Sequence, residues 1–152
     1  LLVIIGPNCP MCAGFAAGMI SSGGDLKIGI IGALTADAFQ GIGSYFEQLR
    51  PVMGITYRGG EAFVQRDSLT FTQSVVKVAA HGVVGGLSSE ASGGDFLSGF
   101  LSTGTTQAFS LSGGFEALGA SDTPASFGGF VYNAAVAGTV GGVASVLGNL
   151  KI

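Results

Sequence analysis

Charge is what this chain has least of: 10% of its 152 residues are Asp, Glu, Lys or Arg, against roughly 25% in ordinary soluble domains. A chain so short of ionic groups is poorly equipped for a solvated surface. Its six basic residues and net charge of -3 argue against nucleic acid as the main partner, because phosphate binding needs a basic face. There is no tryptophan, so a polytopic membrane protein with an aromatic belt is not indicated either. His81 is the single histidine and Cys9 and Cys12 the two cysteines, too few for a four-ligand zinc site. A lone histidine among many serines makes no triad, and no residue set calls for a metal or cofactor.

What the chain does have is 47% hydrophobic residues and 28 glycines in a length suited to one domain. The stretch Thr123 to Leu150 shows both. Thr123 suits a helix N-cap and Pro124 the first helical position. No charge occurs from Ala125 to Leu150, and a helix of that run, at about 1.5 Å per residue, would exceed the roughly 30 Å hydrocarbon core of a bilayer. Ala134, Gly138 and Gly142 recur at four-residue spacing, with Gly141 and Ser145 beside them. In water each such glycine costs about 1 kcal/mol of helix propensity; in lipid, small faces of this kind bring helices together. The sequence therefore predicts a membrane-competent helix here, the alternatives being a buried helix or an irregular glycine-rich segment.

From the start, Leu1 to Gly24 is uncharged but interrupted by Pro7 and Pro10, and no positive region precedes it, which makes a poor signal peptide. The first residue is Leu1 rather than an initiator methionine, so the chain reads as a fragment of something longer. Met11 to Ile20 is the modest helix expected in this region. Cys9 and Cys12 form a C-x-x-C pair that could be a disulfide, although the strand a redox site should follow is missing from the pattern. Asp25 to Phe46 predicts a second helix capped by Asp25, with Gly29 and Ala33, and Gly32 and Ala36, stacking small residues. Its interior charge, Asp37, would have to face water or a partner within a membrane, which makes it a candidate pore-lining group.

Glu47 to Asp67 breaks the pattern with six charged residues. Gly54 to Tyr57 and Ala62 to Gln65 flank Arg58-Gly59-Gly60-Glu61, a hairpin signature, and Arg–Glu pairs there read as surface ion pairs. Ser68 is the expected cap of a helix from Leu69 to about Leu87 that sets Lys77 and His81 four residues apart on one face, two further pore-lining candidates. Asp95 is the expected cap of another helix, Phe96 to Phe115. Gly82 to Ser89, including Gly86, and Gly138 to Ser145 share the text G-x-V-G-G-x-x-S. The fold expected is mainly α, glycine-rich apolar helices with one short β-hairpin near residues 54–65, loosely folded or unfolded if enclosed by a larger partner.

The run Ala80-His81-Gly82, Gly85-Gly86, Ser89, Gly93-Gly94, Phe96, Gly99-Phe100 and Gly104, with Gly29 to Gly43 before it, resembles text near the C-termini of Rhs-family polymorphic-toxin proteins. Within that family the small, apolar and non-enzymatic character is similar to the membrane-depolarising, pore-forming toxins of Pseudomonas type VI effectors. The resemblance covers Lys27 to Gly148, and the chain then reads as one toxin domain over 1–152, in which 1–46 and 68–152 are apolar helices and 47–67 is the polar hairpin. It implies enclosure in the β-cocoon shell of the same precursor, delivery with a secretion spike and chaperone, and neutralisation by a cognate immunity protein. The target would be the lipid bilayer of the victim's inner membrane, entered as a homo-oligomer and depolarised by ion conduction. Two other classes stay open: a cytosolic toxin enzyme, hydrolase or nuclease-like, using Arg58, Glu61 or His81, and a non-toxic translocation or linker segment.

Overall fold

The computed structural model describes residues 9–120 and 127–149. Glycine spacing and polar caps cut the apolar sequence into helices: α1 (Pro10–Ser21), α2 (Leu26–Leu49), α3 (Phe71–Ala91), α4 (Phe96–Leu111), the short α5 (Gly114–Ala117) and α6 (Phe127–Asn149). Between α2 and α3 lies one antiparallel hairpin, β1 (Val52–Arg58) with β2 (Glu61–Arg66). The chain is mainly α with a single short hairpin, as its pattern predicts.

The hairpin turns at Gly59 and Gly60, whose φ angles of 62° and 86° suit a tight two-residue connection and would strain side-chain-bearing residues. Ile55 pairs with Val64 and Tyr57 with Ala62, an apolar face left exposed among the described residues. Its base is clamped. Arg50 donates to the carbonyls of Asp67 (2.5 Å) and Arg66 (3.1 Å), and Arg66 returns a bond to the carbonyl of Arg50 (3.1 Å). Glu47 accepts from Arg50 at 2.9 Å and lies 3.9 Å from Arg66, balancing the two cations.

Two helix corners repeat the same four residues. Ser22-Gly23-Gly24-Asp25 joins α1 to α2, and Ser92-Gly93-Gly94-Asp95 joins α3 to α4. In each the serine ends the helix and the next glycine takes a positive φ, 69° at Gly23 and 90° at Gly93. The second glycine then donates back to a helix carbonyl, Gly24 to Met19 and Gly94 to Ser89, both at 2.8 Å. The aspartate caps the following helix, Asp25 accepting from the Lys27 N–H and Asp95 from the Ser98 N–H, again both at 2.8 Å. Such bonds satisfy orphan groups at helix ends and fix where each helix stops and starts.

Helices pack mainly on their neighbours in sequence: α1 on α2, α2 on α3, α3 on α4 and α4 on α6, with α5 touching both α4 and α6. The result is a meander with little interior. Among the described residues the buried apolar side chains are Phe46 and Ala144 alone, whereas Ile20, Leu34, Met53, Tyr57, Phe71 and Val146 are more than half exposed.

Three sequence expectations need correction. The cap of α3 is Thr70, not Ser68: Thr70 accepts from the Gln73 N–H while the Gln73 side chain accepts from the Thr70 N–H, a reciprocal box that outcompetes a lone serine two residues earlier. The helix begun at Phe96 stops at Leu111 rather than Phe115, because Ser112 and Gly113 (φ 74°) end it and α5 starts afresh. The transmembrane helix is not found: no helix among the described residues is long and apolar enough to cross a membrane. Asp37 and Lys77 interrupt α2 and α3, and α4 has 16 residues. The run Ala125 to Leu150 is helical over Phe127–Asn149; Thr123 and Pro124 lie outside the described residues, as does Leu1 to Asn8.

Candidate functional site

Small residues do bring the helices together, at named points. Where α1 crosses α2, a Cβ built on Gly14 would meet the Gly32 carbonyl and lie 2.7 Å from Ala36 Cβ. One on Gly29 would meet Met19 at 2.8 Å and Phe15 at 3.0 Å. Ala33 on the same helix is partly buried. Between α3 and α4 the phenyl rings fill the gaps, Phe100 over Gly82 (2.8 Å) and Phe96 over Gly86 (2.6 Å). On α6, Gly141 would meet the Ser102 hydroxyl of α4 at 2.6 Å, and the hydroxyls of Ser145 and Ser98 bond to each other.

Gly138 and Gly142 behave differently: a Cβ on either meets nothing within 4 Å. The shared G-x-V-G-G-x-x-S text therefore marks helix on both occasions, with a filled face on α3 and an open one on α6. The Ala134 side chain lies outside the described set.

Of the three pore-lining candidates, the structure joins two. His81 stacks on Phe39 of α2 with ring centroids 5.1 Å apart, and Lys77 lies one turn before it on α3. Asp37 is exposed and sits two residues from Phe39, about 200° around the helix, so it points away from them. The His81 Nδ1 lies 2.9 Å from the Lys77 carbonyl. A carbonyl only accepts, so Nδ1 carries the proton and Nε2 is the free acceptor. Burial pushes the His81 pKa below its ordinary 6.5; the nearby Lys77 charge acts the same way, and the bond to the Lys77 carbonyl opposes both.

His81 borders a cleft of about 320 Å³ whose other polar lining is a stripe on α4: Thr103, Thr106, Gln107 and Ser110. The Thr103 hydroxyl bonds to the carbonyls of Gly99 (2.9 Å) and His81 (3.0 Å), and that of Thr106 to Ser102 (2.7 Å). Their spacing of three, four and seven residues, which puts them on one helix face, is present in the sequence, where the Ser and Thr content of this helix predicts only hydroxyls bonding back to its own carbonyls. Beside it lies a second cavity of about 500 Å³, which shares Ser110 and is lined by Glu47, Arg50, Lys77 and Glu116 among others.

Neither opening holds a nucleophile with its base. Arg58 and Glu61 face each other across the exposed hairpin turn and do not line the His81 cleft. No group of three His, Cys, Asp or Glu side chains suited to a metal ion occurs among the described residues. Cys9 and Cys12 form a disulfide at the start of α1, where Cys9 Sγ also accepts from the Cys12 N–H at 3.2 Å. The described residues offer apolar exposed faces, open glycine positions and two clefts with polar groups in their walls.

The chain matches no protein-family model, no curated protein and no solved structure.

Proposed function

We propose that this chain is an antibacterial pore-forming toxin that acts on the inner membrane of a target cell and depolarises it by conducting ions. One observation carries the reading: the helices pair through glycine, yet among the described residues only Phe46 and Ala144 are buried apolar side chains, while many large ones, Ile20, Met53 and Phe71 among them, stay exposed. Burial of apolar surface is the main favourable term in folding, at roughly 25 cal/mol per Å². A chain that leaves so much of it outside gains by moving to an apolar environment.

Before release, a shell formed by the same precursor would cover these faces, and an immunity protein would do so in the producing cell. In the victim the lipid bilayer takes that place, with Gly138 and Gly142 of α6 supplying the face through which copies associate. The reading is of the Rhs type VI class and needs no enzyme activity.

The test is ionic current across a planar lipid bilayer with the Gly138→Leu, Gly142→Leu double variant as control. Both positions are open in the folded chain, so leucine there should leave the fold intact while blocking association. Discrete conductance in the parent and its loss in the variant is the result expected. A silent parent that still kills cells would refute the pore.

A further inference from the structure

We infer that the cavity between the end of α2, the start of α3, α4 and α5 takes the zwitterionic phosphoethanolamine headgroup of a membrane lipid, an assignment that rests on the membrane reading above. Its charged lining is two acids and two bases: Glu47, Arg50, Lys77 and Glu116. The first pair is spent. Glu47 is bound to Arg50 at 2.9 Å, and Arg50 is further held by the carbonyls of Arg66 and Asp67. Lys77 and Glu116 are not: no ion pair among the described residues uses either of them.

Two opposite charges that line one cavity without meeting each other favour a ligand carrying both signs. Lys77 is half-buried and shares the lining with Ser74, an ammonium and a hydroxyl that can both donate to phosphate oxygens. That end suits a phosphate. Glu116 is exposed on α5 and suits a primary ammonium, whose N–H groups can donate to a carboxylate. Phe46, Leu69 and Leu111 supply the apolar part of a wall that Ser68 and Ser110 share. An apolar strip beside a zwitterionic site fits a lipid better than a free headgroup, because the glycerol and upper acyl chains need somewhere dry to lie. Inorganic phosphate would leave Glu116 unanswered, and a choline headgroup brings no N–H to it.

Vesicle flotation tests this, comparing phosphatidylcholine alone with phosphatidylcholine plus phosphatidylethanolamine, for the parent chain and for Lys77→Gln and Glu116→Gln. Phosphatidylethanolamine should raise the bound fraction. Each variant should cut that gain about tenfold, the scale of one charge-assisted contact, with helical circular dichroism unchanged. Soluble O-phosphoethanolamine should compete, and inorganic phosphate or ethanolamine alone should not. Equal binding to the two lipids, unaffected variants, or competition by phosphate as strong as by phosphoethanolamine would each overturn the assignment. Bilayer current separates the two readings: headgroup-dependent flotation without current keeps the site and removes the pore, whereas current with lipid-independent flotation does the reverse.

Discussion

Phe39 of α2 lies flat on His81 of α3, the ring planes 8° from parallel. The contact bridges the seam between the two halves of the meander and is part of the burial that holds the His81 pKa below its ordinary value. Lys77 is the charge acting on the imidazole; Phe39 from α2 and Thr103 from α4, which face it, carry none. In the unfolded chain His81 regains its ordinary pKa of 6.5. The unfolded state then binds the proton more readily, so this contribution to stability is present above pH 6.5 and is lost as pH falls through the lower folded value. Urea midpoints should be level above neutrality and decline from about pH 6.5 to about pH 5, before carboxylates titrate. His81→Phe, which keeps a ring for Phe39, should flatten that decline. An unchanged slope in the variant would mean another group sets it.

The glycines divide by what a methyl group would meet, and alanine substitution should change sign accordingly. Gly14→Ala drives a Cβ into the Gly32 backbone, which cannot swing aside as a side chain can. Forcing the α1–α2 crossing apart should cost about 1–3 kcal/mol. Gly142→Ala meets open space on a helix and should stabilise by up to about 1 kcal/mol through helix propensity alone. Thermal unfolding of the two variants decides it, and destabilisation by both would show that the open face of α6 is covered in solution.

Much of this architecture is legible in the residues because capping is local chemistry. Asp25 and Asp95 mark helix starts, and the Gly59-Gly60 pair marks the hairpin, with no need of tertiary knowledge. The cap of α3 was missed because Ser68 and Thr70 both suit the role, and only the reach of Gln73 back to Thr70 decides between them. The break after Leu111 was missed because Ser112-Gly113-Gly114 lacks the aspartate that completes the other two corners. For the candidate site, periodicity places Lys77 and His81 on one face but cannot bring Phe39 or Glu116 to them. Those meetings depend on which helices cross, and the open Gly138 and Gly142 look identical in sequence to the filled Gly82 and Gly86.

The hairpin should hold together through its base rather than its faces. Its strands pair mainly with each other, and an isolated two-stranded hairpin is marginal in water. Arg50 makes the connection, bonding to the carbonyls of Arg66 at the end of β2 and of Asp67 just after it, and to Glu47. Arg50→Ala should therefore raise amide exchange across Val52–Arg58 and Glu61–Arg66 while α1 and α4 keep their protection. Arg58→Ala, at the exposed turn, removes only a surface cross-strand pair and should change exchange little. If Arg58→Ala loosens the strands as much as Arg50→Ala does, the clamp is not what holds them.

The repeated Ser-Gly-Gly-Asp corners allow a test of how independent the helical hairpins are. Asp25 and Asp95 cap α2 and α4 in the same way, and neither shares a hydrogen-bond partner with the other. Loss of such a cap typically costs about 1 kcal/mol, so Asp25→Ala and Asp95→Ala should each lower stability by that order. Sites without common partners usually add to within about 0.5 kcal/mol, and the double variant should follow. Location matters more than the sum. With little shared core among the described residues to spread a local loss, Asp25→Ala should speed exchange in α1 and α2 first, and Asp95→Ala in α3 and α4. Uniform acceleration along the whole chain in either variant would mean that the α2–α3 seam, Phe39 against His81 included, couples the halves into one cooperative unit.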